Sequence, residues 1–281
     1  MNKISFPKRL LVKIIIFFGQ NTIMGRGFSR NKLIRIIHKI INFDPTSDPI
    51  KSRIQTKVDG VPFYFYFDHL SETKQVMGSY NKKEINFIQN EMEANDVFID
   101  VGANIGFYTQ NIASKYDKNK FSKIISIEPN PLLCKRIKDN LSLLAKKNPK
   151  IKNKVIIENY AIGDKSCNSY LSLAKGYGNA SITQESNLTS IKVKMTPLIN
   201  IIKKNNIESI KNLKIDIEGY EDIALIPYFE NVEDKLFPKN IIIEHTSHPL
   251  WKEDVIQFLL SIGYKEIFKT RSNMVLSNKS Q

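Results

Sequence analysis

Cysteine is nearly absent: Cys134 and Cys167 are the only two in 281 residues. Two thiols that far apart exclude a disulfide scaffold and a Cys-rich zinc site, and they suit a reducing compartment. Long apolar runs are lacking as well. The most apolar early stretch, Leu10 to Phe18, is broken by Lys13 and falls short of the roughly 20 residues that span a bilayer. Lys3, Lys8 and Arg9 ahead of it resemble the start of a secretory leader, but Gln20 to Met24 offer no small-residue cleavage site. Arginine is scarce, at seven of 42 basic residues. Arg is the side chain that specific phosphate and base reading favours, so the formal charge of +14 says little for nucleic-acid recognition. The sequence has no Arg-rich patch and no Asn/Asp-Pro-Pro-aromatic motif for a flipped base. No nucleic-acid partner is expected.

The composition that remains, 42% hydrophobic and 25% charged, is that of a globular chain. Its charge is unevenly placed. Residues 1–60 carry twelve Lys/Arg against Asp44, Asp48 and Asp59, a net of +9, which leaves +5 for the other 221 residues. A loop at Phe43 to Pro49, rich in Asp, Ser and Pro, closes off a basic helical extension over residues 1–50. Two readings fit that extension. Helices at 8–19 and 30–42 pack on the core, or residues 1–42 lie on an anionic membrane surface. The expected location is the cytoplasm, on the second reading at the inner membrane surface.

Residues 51–281 read as one further domain. Strands at 53–58 and 61–67 flank Asp59-Gly60, a hairpin turn signal, and a helix follows at 81–94. This β extension covers residues 51–80. From residue 95 to 276 short apolar strands alternate with helices: strands at 97–101, 123–127, 155–159, 213–217 and 240–244, and helices up to about 115 and at 131–146, 197–205, 220–229 and 249–262. A hairpin of 167–173 and 190–196 with a tip at Gly176 to Asn179 interrupts the series, and a strand pair near 264–276 ends it. Fully apolar strands joined by helices predict an α/β fold, a parallel sheet covered on both faces. Ligands of such sheets bind beyond the carboxyl ends of the strands, where the strand order reverses.

The informative motifs all sit at those ends. Asp100-Val101-Gly102-Ala103-Asn104-Ile105-Gly106 is a glycine turn in which backbone N–H groups are expected to approach a ligand closely. Its glycines are four apart, which is not the dinucleotide fingerprint. An acid before the turn suits a positively charged, amino-acid-bearing ligand such as S-adenosylmethionine. Glu128-Pro129-Asn130 follows 28 residues after Asp100; Glu128 there reads either as the acceptor for two ribose hydroxyls or as a helix-start cap. The turn from Asn159 to Asp164 either flanks an adenine ring, with Ala161 or Ile162 against the base and Asp164 near its amine, or is a plain turn. Lys214-Ile215-Asp216-Ile217-Glu218-Gly219-Tyr220-Glu221 crowds three carboxylates, with Asp216 and Glu218 expected on one strand face. Such crowding raises a pKa or requires a cation. In Glu244-His245-Thr246-Ser247-His248-Pro249, His245 is a candidate base. Glu244, His245 and His248 match no zinc spacing, so no metal is expected.

Taken together, the Asp100, Glu128 and Lys214 motifs resemble the FkbM family of S-adenosylmethionine-dependent methyltransferases over roughly residues 54–276. The Ala161-Ile162-Gly163 turn, Thr196 entering a helix and the strand ending at Glu244 resemble it too. The resemblance implies a class I, Rossmann-like sheet of seven strands with one antiparallel, and methyl transfer to a hydroxyl of a sugar, glycan, glycolipid or secondary metabolite. It implies that Asp100, Gly102, Asn104 and Gly106 hold the cofactor's methionine part, that Glu128 and Asn130 hold its ribose end, and that Asp216 and Glu218 face the transferred methyl and the acceptor. Asp216 or His245 is then the expected base, with Glu221 and Glu244 positioning substrate hydroxyls. The competing classes are an NAD-dependent oxidoreductase, opposed by the glycine spacing, and a nucleic-acid methyltransferase.

Overall fold

Short, mostly apolar strands build the main sheet. The computed structural model describes residues 5–21, 27–41, 53–67, 70–78, 80–116, 123–173, 180–183 and 189–278. These fall into two compact units, divided between Lys82 and Lys83.

The first unit holds α1 (Phe6–Asn21), α2 (Gly27–Ile41), the hairpin β1 (Ile54–Val58) and β2 (Val61–Phe65), and α3 (Leu70–Val76). The hairpin turns at Asp59 and Gly60, both with positive φ, which matches the right-handed twist of the two strands. The β2 aromatics Phe63 and Phe65 are fully buried, so they are core. Gln20 ties α1 to the rest of the unit through Nε2, which donates to the carbonyls of Lys57 and Val76 at 2.8 and 2.7 Å. The polar α3 has no clear signature in the sequence. It is held from outside: the buried Glu72 accepts the backbone N–H of Tyr66 and Phe67.

The second unit continues with α4 (Lys82–Glu91), β3 (Val97–Val101), α5 (Phe107–Ala113), β4 (Lys123–Ile127), α6 (Pro131–Ala145), β5 (Val155–Glu158), β6 (Ala161–Ile162), β7 (Cys167–Ser172), β8 (Ser181–Thr183), β9 (Ser190–Thr196), α7 (Leu198–Lys204), β10 (Asn212–Ile215), α8 (Glu221–Asn231), β11 (Asn240–Glu244), α9 (Val255–Ser261), β12 (Lys265–Lys269) and β13 (Asn273–Ser277). Seven strands form one sheet in the order β12-β13-β11-β10-β3-β4-β5. All neighbours run parallel except β13, which is antiparallel to both β11 and β12. This is the expected α/β sheet. Its strands bury Ile99, Val101, Ile125, Ile127, Ile215 and Ile243 completely, and each such side chain contributes about 1.5–3 kcal/mol. The expected hairpin of residues 167–173 and 190–196 is present as β7 and β9. It is part of a second sheet, β6-β9-β7-β8, to which the short β6 and β8 also belong. The expected loop at 43–49 and the hairpin tip at 176–179 lie outside the described residues.

Two of the boundaries that differ from the sequence reading bear on the site. The helix expected over 249–262 is divided: His248–Leu250 is a single 3-10 turn, and α9 starts only at Val255. Asp254 caps α9 by accepting the N–H groups of Ile256 and Gln257, and the buried Asp222 draws the N–H of Lys252 out of any helix. The strand expected to reach Ile217 stops at Ile215. Asp216 and Glu218 therefore share a turn, not a strand face, and Glu218 takes a left-handed φ of 56°.

The chain runs outward through β3, β4 and β5, then returns to β10 and β11 on the other side of β3. The order thus reverses between β3 and β10, where ligands of open parallel sheets bind. The two loops leaving those strands touch there. Gly102 has φ 72°, and a Cβ on it would collide with the Asp216 carbonyl oxygen and stand 2.9 Å from its carbon and 3.1 Å from Ile217 Cγ2. Gly102→Ala should therefore cost roughly 2–5 kcal/mol, a left-handed penalty plus overpacking. Chemical denaturation checks this; a loss below about 1 kcal/mol would mean that the loops are free to separate.

Candidate active site

Strand register brings the site together. Lys214 of β10 lies opposite Asp100 of β3, and Asp100 lies opposite Ser126 of β4. All three are buried. One Asp100 oxygen accepts the backbone N–H and the hydroxyl of Thr109 at 3.1 and 2.7 Å. The other lies 3.6 Å from the Lys214 ammonium. That ammonium donates to the carbonyls of Val101 (3.3 Å) and Gly102 (2.9 Å) and stands 3.8 Å from Asp216. Burial pulls the Lys214 pKa down, but Asp216, Asp100, Glu244 and Glu128 push it above its ordinary value. Asp100 thus points into the protein, at Thr109 and Lys214.

The glycine turn also differs from expectation. Its N–H groups were expected to face a ligand, yet Gly102 and Ala103 donate to the Ile127 carbonyl, Gly106 donates to Ala103, and Asn104 donates to Glu128 Oε2 at 2.8 Å. The turn has closed on its own chain because β3 and β4 end side by side. What it leaves open is an acceptor: Asn104 Oδ1 is buried with no donor among the described residues. Glu128, buried beside this turn, accepts one N–H on each oxygen, from Asn104 and from Asn130. Burial raises its pKa to about 7 against those two hydrogen bonds and Lys214. Asn130 caps α6 through Leu132 N. Ala161 and Ile162 are buried in β6, and Asp164 is exposed just beyond.

The acids meet at the ends of β10 and β11. The register pairs Ile215 with Ile243, so the next residues, Asp216 and Glu244, are neighbours. Oxygens of Asp216, Glu221 and Glu244 lie within 4.8 Å of one another. Burial raises Asp216 to about 7, opposed by Lys214 and reinforced by Glu244 and Glu221. Burial likewise raises Glu218 to about 8, reinforced by Asp216, Glu244 and Glu221. Glu221 is engaged three times: it accepts the N–H of Ile217, the N–H of Gly219 and Trp251 Nε1, at 2.8, 3.0 and 2.7 Å. It staples the turn that carries Asp216 and Glu218. Glu244 accepts the hydroxyls of Thr246 and Ser247. His245 is not brought into this group, since its Nε2 lies 3.2 Å from the Thr270 carbonyl.

Sequence reasoning passed over Lys214, Thr109 and Trp251. Lys214 had a signal: it stands two residues before Asp216, between the apolar Leu213 and Ile215. Thr109 and Trp251 had none, because their partners lie 9 and 30 residues away.

A family model, the methyltransferase FkbM domain, matches residues 100–266. No curated protein matches the chain. Among solved structures, a methyltransferase FkbM from Methylobacillus flagellatus KT is 20% identical, with a TM-score of 0.43, over 66% of this chain and 43% of that one. This chain therefore spans under half of that protein's length. TYW2 of M. jannaschii, in complex with AdoMet, is 15% identical over 80% of this chain and 84% of that one, with a TM-score of 0.41. TrmK of M. capricolum, in complex with S-adenosyl-homocysteine, is 11% identical over 70% and 68%, with a TM-score of 0.37.

Two outcomes test this geometry. Asp100→Ala removes one of the two carboxylates within 4 Å of a buried ammonium and leaves the buried Thr109 N–H without its acceptor, and should destabilise the protein by about 1–3 kcal/mol; an unchanged denaturation midpoint would mean that Asp216 alone balances Lys214. Glu128, Asp216 and Glu218 all have pKa values raised above their unfolded values of 4.5, 3.8 and 4.5. The stability they contribute is fully present below those unfolded values and is lost as pH rises through about 7 to 8. The melting temperature of the protein alone should fall between pH 5.5 and 8.5; a flat or rising curve would contradict the assigned shifts.

Proposed function

The chain belongs to the FkbM methyltransferase family, and from that premise we propose that it transfers a methyl group from S-adenosylmethionine to a hydroxyl of a sugar, glycan, glycolipid or secondary metabolite. The observation that carries the reading is the carboxylate group of Asp216, Glu221 and Glu244, placed next to the Asp100 to Gly106 turn where the strand order reverses. Desolvated carboxylates favour a cationic ligand, and this cofactor carries a sulfonium and an ammonium.

The residues on the cofactor side fit. The orphaned Asn104 Oδ1 suits the ammonium of the methionine part. Each Glu128 oxygen holds one N–H and keeps capacity for a ribose hydroxyl. Asp100 supports this set through Lys214, which holds the Gly102 carbonyl. A dinucleotide's pyrophosphate would need the N–H groups that the turn has already bonded internally, which speaks against the oxidoreductase alternative.

When bound, the cofactor supplies a methyl group on a good leaving group. The chain's task is to orient the acceptor hydroxyl and remove its proton. Asp216, raised to about 7, is poised as that base near neutral pH. We take it over His245, whose Nε2 is engaged by Thr270. Glu218 and Glu244 accept hydrogen bonds from neighbouring substrate hydroxyls, and Glu221 keeps the turn in place.

The test is labelled-methyl transfer onto a cell lysate fractionated into glycan, lipid, protein and nucleic acid, with label expected in glycan or lipid. Asp216→Asn should bind S-adenosylmethionine within about threefold of the parent by calorimetry, yet lose roughly 10²–10⁴ in turnover. Full turnover in that variant would assign the base elsewhere, and label in nucleic acid would overturn the acceptor class.

A further inference from the structure

The first unit carries a surface that the methyltransferase site does not use. Among the described residues ten large apolar side chains are exposed, and seven belong to α1 and α2. On α1 they are Phe6, Leu10, Leu11, Ile14, Phe17 and Phe18, with Phe6 79% and Phe17 63% exposed. Spacings of three and four residues gather them on one helix face. The opposite face is the packed one, with Val12, Ile16 and Gly19 buried. Gly19 is tight there: a Cβ on it would collide with Met77 Sδ and lie 3.5 Å from Leu33 of α2. So α1 is seated by a narrow stripe, and its larger apolar surface faces outward.

The charge carried by the two helices has one sign. No acidic residue precedes Asp44, while nine Lys/Arg do. On α2, Leu33, Ile34 and Ile37 are buried, and Lys32, Arg35, Ile36 and Lys39 form the exposed stripe. On α1 the exposed Lys13 borders the apolar face. A second copy of the chain would bring these cations against its own, with no acid on either helix to meet them. A nucleic acid would satisfy the cations and leave the phenylalanines in water. A bilayer rich in anionic lipid satisfies both, with phosphates for the basic stripe and the acyl boundary for the apolar face. At 16 residues α1 is about 24 Å long, and no helix among the described residues is long and apolar enough to cross a membrane. A helix of that length on a bilayer would lie in the interface plane.

We propose that α1 and α2 form a docking surface for anionic phospholipid bilayers, with Phe6, Leu10, Ile14 and Phe17 inserted below the headgroups and Lys13, Arg35 and Lys39 on the phosphates. The proposal is independent of the assigned activity, and its readout is not enzymatic. The full-length chain is sedimented with phosphatidylcholine vesicles and with vesicles of phosphatidylcholine and phosphatidylglycerol at 70:30. It should pellet with the second and stay in solution with the first. Lys32→Gln/Arg35→Gln/Lys39→Gln should lower partition onto the anionic vesicles roughly a hundredfold. Leu10→Gln/Phe17→Gln should abolish it with an unchanged circular dichroism melt, since both side chains are exposed. No pelleting with anionic vesicles, equal pelleting with both compositions, or full pelleting of the Leu10/Phe17 variant would overturn the proposal. So would a concentration-dependent dimer, seen by sedimentation velocity, that this variant dissolves.

Discussion

A single buried ammonium organises the carboxyl end of the sheet. Lys214 is enclosed by protein, and a cation there persists only with opposite charge and acceptors around it. Those partners come from both sides of the point where the strand order reverses: Asp100 and the carbonyls of Val101 and Gly102 from β3, and Asp216 from the end of β10. The same crossing explains the glycine. The loop after β3 must lie against the Asp216 carbonyl for Lys214 to reach both strands. Asp100 accordingly faces this cation, its Oδ1 left, like Asn104 Oδ1, without a hydrogen bond among the described residues, and the further acceptors of the region are Asp216, Glu218 and Glu244 beyond β10.

Those carboxylates give the site its chemistry against the composition of the chain. A protein with a formal charge of +14 places its acids together at the ends of β10 and β11, where burial and mutual repulsion raise Asp216 and Glu218 towards neutrality. Lys214 offsets part of that repulsion, and the staple at Glu221 prevents the turn from opening to relieve the rest. The result is a desolvated cluster of carboxyl groups that is only partly ionised at neutral pH, which suits a cationic cofactor and a hydroxyl that must lose its proton. The positive charge is concentrated elsewhere, on helices that also expose phenylalanine and leucine.

Much of the sheet was legible from local pattern. The runs at Val97 to Val101, Lys123 to Ile127 and Asn240 to Glu244 are apolar and short, and they became β3, β4 and β11 with those boundaries. Where a side chain from a distant element intervenes, the pattern misled. Asp222 and Asp254 interrupt a stretch that reads as one helix from 249 to 262. The Gly102 contact ends β10 two residues early. Glu72 holds a helix, α3, that its own residues barely specify. The direction in which α1 faces was equally illegible, since an apolar helix reads the same whether its broad side is covered or open.

The sequence by itself determined which residue types end which strands: a glycine turn after an acid at Asp100, an acid at Glu128, and three acids after Lys214. Periodicity and apolar runs are local properties, and strand ends in a parallel sheet follow from them. Only the tertiary structure decided which of those residues meet. Lys214 faces Asp100, Asp216 adjoins Glu244, Glu221 turns back onto its own loop with Trp251, and His245 reaches Thr270 instead of the acids. Each of these depends on which strands are neighbours and in what register, because one residue of slip moves every side chain to the opposite face.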